Sequence, residues 1–256
     1  MQLAVHVSGS GSRTAILIHG IMSDHRAWHR VSAELAAKGF RVIAVDLAGH
    51  GASPRARRYT LGGWADDVVE TVRPLLDRSP ELLMGHSLGG LVASLVADRL
   101  APRAAIYVDP AFAFPRGVRG VLFKLAFALA PRPRRSALVR WNPRWSADDV
   151  EIELATVRDW DKRTILALAS SRPLVPPRQL VAPSLVVLAE KSLLITDAAA
   201  ASLRRLGMTV VTVAGAGHAV FRDDHARFMR LVEEWLANCG AQTERSTATT
   251  LPSTSA

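Results

Sequence analysis

One serine of this chain lies in a pattern that suits a nucleophile. Residues 85–90 read Gly-His-Ser-Leu-Gly-Gly, which places Gly-x-Ser-x-Gly around Ser87. An apolar run precedes this pattern, and apolar residues at helical spacing follow it over 88–100. A strand that turns sharply into a helix strains and exposes its central residue, and the flanking glycines remove Cβ atoms that would clash. We therefore predict a nucleophile at Ser87; the alternative is an ordinary Gly-Ser turn.

A serine hydroxyl is a poor nucleophile near neutral pH and needs an adjacent base. His218 is the best candidate, because it ends the turn Gly215-Ala216-Gly217-His218 after the last predicted strand. The other histidines are expected elsewhere: His86 towards the interior, His19 bonded within a loop, His50 in a turn, and His25, His29 and His225 at the surface.

The elements that must position these residues alternate between strand and helix patterns. The strands are predicted at 14–18, 40–45, 81–84, 104–108, 184–189 and 209–213, and the helices at 27–38, 60–78, 88–100, 196–206 and 222–238. This alternation predicts an α/β fold with a doubly wound, mostly parallel sheet. Five polar residues follow predicted strand ends, at the edge where such sheets bind ligands: His19, Asp46, Ser87, Asp109 and His218.

The alternation stops after position 110 and resumes at Pro183. We predict a core formed by 1–110 and 183–238, with a helical cap inserted at 111–182. Within the cap, the apolar stretch 117–130 packs over the active site or, alternatively, faces lipid. Residues 239–256 are small and polar, which predicts a disordered tail.

Composition narrows the class of protein. The 256 residues contain no uncharged apolar run of about 18, so we expect no stable membrane insertion. The N-terminus alternates like a strand and lacks the pattern of a signal peptide. One cysteine, Cys239, excludes an internal disulfide framework and a cysteine metal cluster. Together these features predict a cytoplasmic protein.

The net charge of +9 comes almost wholly from arginine, since only four lysines are present. No basic helix with interleaved aromatic residues is found, so we expect no nucleic-acid partner. Residues 112–182 hold thirteen Lys or Arg against six Asp or Glu. This segment could attract an anionic substrate or an acidic membrane surface, or it is an ordinary solvated face.

Four motifs together resemble the α/β-hydrolase fold: His19-Gly20, Asp46-Leu47-Ala48-Gly49-His50-Gly51, Gly85-His86-Ser87-Leu88-Gly89-Gly90 and Gly215-Ala216-Gly217-His218. The match is to the lid-bearing branch of esterases, lactonases, carbon–carbon hydrolases and cofactor-free haloperoxidases. The resemblance implies an oxyanion hole formed by the backbone N–H groups of Leu88 and Ile21, with Met22 lining the pocket. It implies no metal and no organic cofactor.

The chain departs from this family at the third catalytic residue. The usual aspartate follows the strand at 184–189, but Ser192 occupies the matching position. Three alternatives remain: Asp109, which we favour and whose other role is that of a turn residue; Glu190; or no effective acid. Asp223 and Asp224 are expected to cap the last helix, and Asp46 to brace its turn.

Three functions follow from these residues. The first is hydrolysis of a carboxylic ester or related acyl bond of a small molecule, hydrophobic or anionic, through an acyl-enzyme on Ser87. The second is a carbon–carbon bond hydrolase or a natural-product tailoring enzyme of the same fold. The third is a ligand-binding protein without turnover, which the serine at 192 favours.

Overall fold

A computed structural model of the chain describes residues 1–112, 122, 125, 129–168 and 180–248, with side chains as far as Cys239. Seven strands of the described residues form one sheet in the order β1-β3-β2-β4-β5-β6-β7. Their bounds are Val5–Ser8, Arg13–Ile18, Phe40–Val45, Leu82–His86, Ala104–Val108, Ser184–Ala189 and Thr209–Val213. Strand β1 pairs antiparallel with β3 and the other pairings are parallel. The predicted fold class is confirmed.

The central strands are apolar on both faces because helices cover both sides of the sheet. Every residue of β4, β5 and β6 is buried. Ile16, Ile43 and Leu83 belong to the core on one face of the sheet, whereas Leu17 and Met84 belong to the core on the other. The alternation of the side chains thus divides each strand between two cores.

Eight α-helices occur among the described residues. They are α1 His29–Ala37, α2 Leu61–Val72, α3 Leu88–Leu100, α4 Arg135–Trp141, α5 Ala147–Asp159, α6 Asp197–Arg205, α7 Val220–Asp223 and α8 His225–Ala248. Short 3₁₀ helices cover His25–Trp28, Arg73–Leu75 and Lys162–Leu168. Side-chain capping defines where two of these helices begin. The Thr60 and Thr196 hydroxyls accept hydrogen bonds from backbone N–H groups in the first turns of α2 and α6.

The C-terminal helix corrects one expectation. Helix α8 runs to Ala248, ten residues beyond the predicted end at 238, so the disorder expected from 239 onwards does not begin there. Alanine, glutamine, glutamate and arginine among these residues favour a helix, which the small polar composition concealed. Residues 249–256 of the predicted tail lie outside the described residues.

The described part of the segment between β5 and β6 contains α4, α5 and the third 3₁₀ helix. Several contacts tie it to the rest of the chain; among them, the Tyr59 hydroxyl donates to Asp161 at 2.8 Å, and Arg222 pairs with Glu153 at 2.7 Å. The stretch 117–130 is described only at Leu122, Leu125 and 129–130, so its predicted placement lies otherwise outside the described residues. Within the described ranges, no helix combines the length and apolarity needed to cross a membrane.

Candidate active site

Ser87 occupies the turn between β4 and α3 with φ at 52°, a left-handed conformation that is unfavourable for a residue with a side chain. The turn requires glycines on both sides. A Cβ at Gly85 would overlap the carbonyl oxygen of Gly89, and a Cβ at Gly89 would overlap that of Ile18. The predicted elbow geometry is therefore present at the carboxyl end of the central strand.

The loop after β2 lies directly beside this turn. A Cβ on Gly20 would come within 3.2 Å of the Ser87 Cβ and 2.9 Å of the His86 ring. Ile21 follows Gly20, and Leu88 is the first residue of α3, where backbone N–H groups have no partner within the helix. These are the two residues predicted to supply the oxyanion hole. The neighbouring Met22, predicted to line the pocket, adopts φ of 64° in the same turn.

His218 and Asp109 form a short polar contact. Nδ1 of His218 lies 2.6 Å from Oδ2 of Asp109. The carboxylate side chain is only 1% exposed and the imidazole is 48% exposed. The other carboxylate oxygen, Oδ1, accepts a hydrogen bond from the backbone N–H of Ala189 at 3.3 Å. The aspartate is thus buried and fixed, while the histidine faces solvent.

Asp109 reaches this position because it is the residue directly after β5, with φ of 38°. Its backbone N–H donates to Val187 at 2.7 Å, which continues the pairing of β5 with β6. The alternative acid is placed elsewhere: the Glu190 side chain is exposed, and its N–H donates to the Ala216 carbonyl. The Ser192 hydroxyl accepts from two backbone N–H groups, of Leu194 and Ile195, and so shapes its own turn.

His86 supports the loop that carries His218. Its Nε2–H donates to the His218 carbonyl oxygen at 3.0 Å, and its ring lies against Phe221 with a centroid distance of 5.1 Å. Burial, aided by the proximity of His218, lowers the pKa of His86 well below its usual value. The ring is therefore neutral and acts as a donor. This agrees with the expectation that it points away from the serine.

His19 organises the loop that precedes Ile21. Its Nε2 accepts from the Leu47 N–H at 2.9 Å, which leaves Nδ1–H to donate to the Gly20 carbonyl at 2.7 Å. Burial lowers the pKa of His19, so the neutral form that makes both bonds is favoured. Burial also lowers the pKa of the neighbouring His50 to about 3. The predicted roles of His19 in the loop and His50 in the turn match these contacts.

The expectation of a surface position is wrong for two histidines, His225 and His25. The His225 side chain is 12% exposed, and its Nε2 lies 2.8 Å from Oε2 of Glu34. His25 is part-buried rather than a free surface residue, because its backbone N–H and its Nδ1 lie 2.8 and 2.9 Å from Oδ1 of Asp46. The pattern around 25 gives no sign of this contact, since Asp46 lies on another loop. Asp46 itself also accepts from the Ala52 N–H, which agrees with its predicted role in bracing the turn.

A buried ionic cluster behind His218 was not predicted. Arg222, in the short helix α7, is 3% exposed and contacts Glu153 at 2.7 Å and Asp149 at 3.6 Å, both in α5. Its guanidinium also lies 4.5 Å from the centre of the Trp145 ring. These residues are separated by about seventy positions along the chain, so no local pattern could connect them. The cluster joins α5 to the segment that follows His218.

The whole arrangement of sheet, elbow and loops corresponds to one known family. A model described as alpha/beta hydrolase family matches residues 15–231, which is most of the chain. The chain belongs to the alpha/beta hydrolase family. The resemblance drawn from the four motifs is therefore confirmed.

Curated members of the alpha/beta hydrolase family with similar sequences include esterases and a lipase. The chain is 36% identical over 119 residues to Esterase PIR7B of Oryza sativa subsp. japonica. It is 37% identical over 111 residues to Lipase LipV of Mycobacterium tuberculosis. These matches cover 43% and 41% of this chain, and 42% and 40% of the relatives. The chain thus spans about two fifths of the length of each relative.

Solved structures of this hydrolase fold superpose over nearly the whole chain. Esterase (EaEST) from Exiguobacterium antarcticum gives a TM-score of 0.77 at 17% identity, covering 92% of this chain and 95% of its own. The enol-lactonase from Burkholderia xenovorans gives 0.76 at 21% identity, covering 92% and 96%. At these identities the likeness establishes the fold alone.

Proposed function

We propose that the protein hydrolyses a carboxylic ester or a related acyl bond of a small molecule through an acyl-enzyme on Ser87. The observation that carries this proposal is the His218–Asp109 pair, 2.6 Å apart, on loops that adjoin the strained turn of Ser87. A nucleophile on a sharp turn, a solvent-facing imidazole and a buried carboxylate are the parts that acyl transfer needs.

The chemistry assigns one role to each group. Ser87 Oγ attacks the carbonyl carbon while its proton passes to Nε2 of His218. Asp109 holds Nδ1–H and stabilises the imidazolium, and the N–H groups of Ile21 and Leu88 bind the oxyanion. The imidazolium then protonates the leaving alcohol. Water, activated by the same histidine, releases the acid and restores the serine.

The contact between Asp109 and His218 bears on the choice among the three functions. The hypothesis of a ligand-binding protein without turnover depended on Ser192, which stands where the family has an aspartate. A carboxylate that reaches the imidazole from β5 supplies the same charge from another strand. We therefore favour a competent hydrolase over a protein that only binds its ligand.

Two assays test the proposal in sequence. The first is covalent labelling by a fluorophosphonate, read by intact mass, with Ser87→Ala as the matched control. Labelling at Ser87 that is lost in the alanine variant supports the nucleophile, and a folded protein that never labels overturns it. The second is a panel of p-nitrophenyl esters of increasing chain length, with thioesters and lactones as related acyl bonds. Labelling without turnover on any of these would direct the search to carbon–carbon bond cleavage.

A further inference from the structure

Three side chains outside the proposed active site converge at the opposite side of β2. His6 lies on edge strand β1, His25 begins the first 3₁₀ helix, and Asp46 directly follows β3. One ligand atom from each lies within 4.8 Å of the others. His25 Nδ1 is 2.9 Å from Asp46 Oδ1, and His6 Nε2 is 3.4 Å from Asp46 Oδ2. The three residues come from β1, from the first 3₁₀ helix and from the loop after β3. They meet only in the folded chain.

We propose that His6, His25 and Asp46 form a binding site for Zn²⁺. Imidazole nitrogen and carboxylate oxygen are ordinary zinc ligands, with bonds of about 2.0–2.2 Å in tetrahedral geometry. Such bonds place neighbouring ligand atoms about 3.3 Å apart. The 3.4 Å between His6 Nε2 and Oδ2 of Asp46 is close to this value, and the 2.9 Å between His25 Nδ1 and Oδ1 would lengthen on binding. Three protein ligands leave the fourth position to water. Mg²⁺ and Ca²⁺ prefer oxygen ligands, so they fit this set poorly.

An unsatisfied nitrogen is the second observation. Nε2 of His6 is shielded from solvent and has no hydrogen-bond partner among the described residues. A buried polar atom without a partner costs free energy, and a metal ion would complete its bonding. Zinc bound at Nδ1 of His25 would replace the hydrogen bond between His25 and Asp46 and release its proton to solvent.

The two imidazole rings are stacked and would have to rearrange to share an ion. The His6 and His25 centroids are 3.2 Å apart with an interplanar angle of 10°. Parallel rings cannot both direct their lone pairs at one point, so one ring must turn. His6 has that freedom, because its side chain is 40% exposed on an edge strand.

The site is structural rather than catalytic. A zinc ion there would link β1 to the carboxyl end of β3 and to the segment that follows the predicted oxyanion residue Ile21. The link closes a loop of forty residues between His6 and Asp46 by direct ligation. The expected effect is therefore a higher unfolding temperature when zinc is bound, and it does not depend on any proposed reaction.

The test uses the full chain, freed of any histidine tag and stripped with a chelator. Zn²⁺ is titrated calorimetrically, and thermal unfolding is followed with and without the ion. We expect one equivalent to bind and the midpoint to rise by roughly 5 °C at saturating zinc. Co²⁺ in place of Zn²⁺ should give the visible absorption of tetrahedral cobalt. Mg²⁺ should produce neither heat of binding nor a shift.

Variants decide where the ion binds. His6→Gln and His25→Gln should each lower the affinity at least tenfold and remove the shift in midpoint. His29→Gln, in α1 and outside the cluster, is the matched control and should bind zinc as the parent does. His6→Gln changes a half-exposed side chain, so it should fold. Equal zinc binding in the parent and in both cluster variants would overturn the proposal, as would loss of binding in His218→Asn alone, which would place the ion at the other site.

Discussion

Replacing Asp109 by asparagine tests the catalytic assignment most directly. The two side chains have the same shape, so the packing of this buried position is retained. Only the charge and one hydrogen-bonding group change. The structure fixes how the amide must orient, because one oxygen of Asp109 accepts from the Ala189 N–H while the other faces Nδ1 of His218.

In Asp109→Asn the amide oxygen must stay at Ala189 to satisfy that N–H, which turns the NH₂ group towards His218. The imidazole then accepts at Nδ1 and carries its proton on Nε2, where it cannot take the proton of Ser87. The same wrong-tautomer effect lowers kcat by about 10⁴ in a serine protease. That factor corresponds to about 5.4 kcal/mol of transition-state stabilisation.

We therefore expect kcat for ester hydrolysis to fall by at least two orders of magnitude and towards 10⁴, with a much smaller change in KM. Glu190→Gln is the matched control, because it makes the same charge change on an exposed side chain and should keep the parental rate. The assay is steady-state hydrolysis of the best p-nitrophenyl ester, with folding checked by circular dichroism. A rate within tenfold of the parent in Asp109→Asn, or an equal loss in Glu190→Gln, would refute the reasoning.

Three further outcomes follow from the packing and charges. Gly89→Ala should lower the free energy of unfolding by about 2–3 kcal/mol in urea, because its Cβ overlaps a carbonyl, whereas Gly62→Ala has open space and should gain about 0.5–1 kcal/mol. Arg222→Met should lower the free energy of unfolding by about 3–5 kcal/mol, because it leaves the Glu153 carboxylate without its partner. Glu153→Gln in the same background should recover part of this loss, and a double variant no more stable than Arg222→Met would contradict the explanation. His50 has a folded pKa of about 3 against about 6.5 when unfolded, so below pH 6.5 the unfolded state binds the proton that the native state refuses. His50 should therefore make the free energy of unfolding about 2 kcal/mol lower at pH 5 than at neutral pH. A His50→Gln variant whose free energy of unfolding falls just as steeply between these pH values would contradict this.

The local pattern was sufficient for much of the fold. Strand β6 lies where an apolar run predicted it, because a strand buried on both faces reads as an uninterrupted apolar segment. Strand β7, at the edge of the sheet, also lies where it was predicted, although its two threonines are exposed. The elbow at Ser87 was equally readable, since its glycines satisfy a backbone requirement that acts over five residues. Helix ends were predicted less well. Helix α2 ends at Val72 rather than at 78, because Pro74 and the 3₁₀ helix Arg73–Leu75 interrupt it.

The acid of the site illustrates what a sequence leaves open. A serine occupies position 192, where the family has its catalytic aspartate, so Asp109 and Glu190 remained as candidates. The sequence could not choose between them, because the order of strands in the sheet decides which strand end approaches His218. The pairing of β5 with β6 brings Asp109 beside Ala189 and within 2.6 Å of the imidazole, while Glu190 turns to solvent. Eighty residues of chain separate Asp109 from Ala189, so only the folded sheet could make that choice.

By itself, then, the sequence determined the features that depend on neighbours along the chain: the alternation of strands and helices, the elbow and the candidate nucleophile and base. Tertiary structure decided the features that depend on approach between distant segments. These are the Asp109–His218 pair, the burial of Arg222 between two carboxylates of α5, and the meeting of His6, His25 and Asp46. The physical reason is that hydrophobic periodicity and backbone strain are local, whereas charges and ligand atoms act across whatever space the fold brings together.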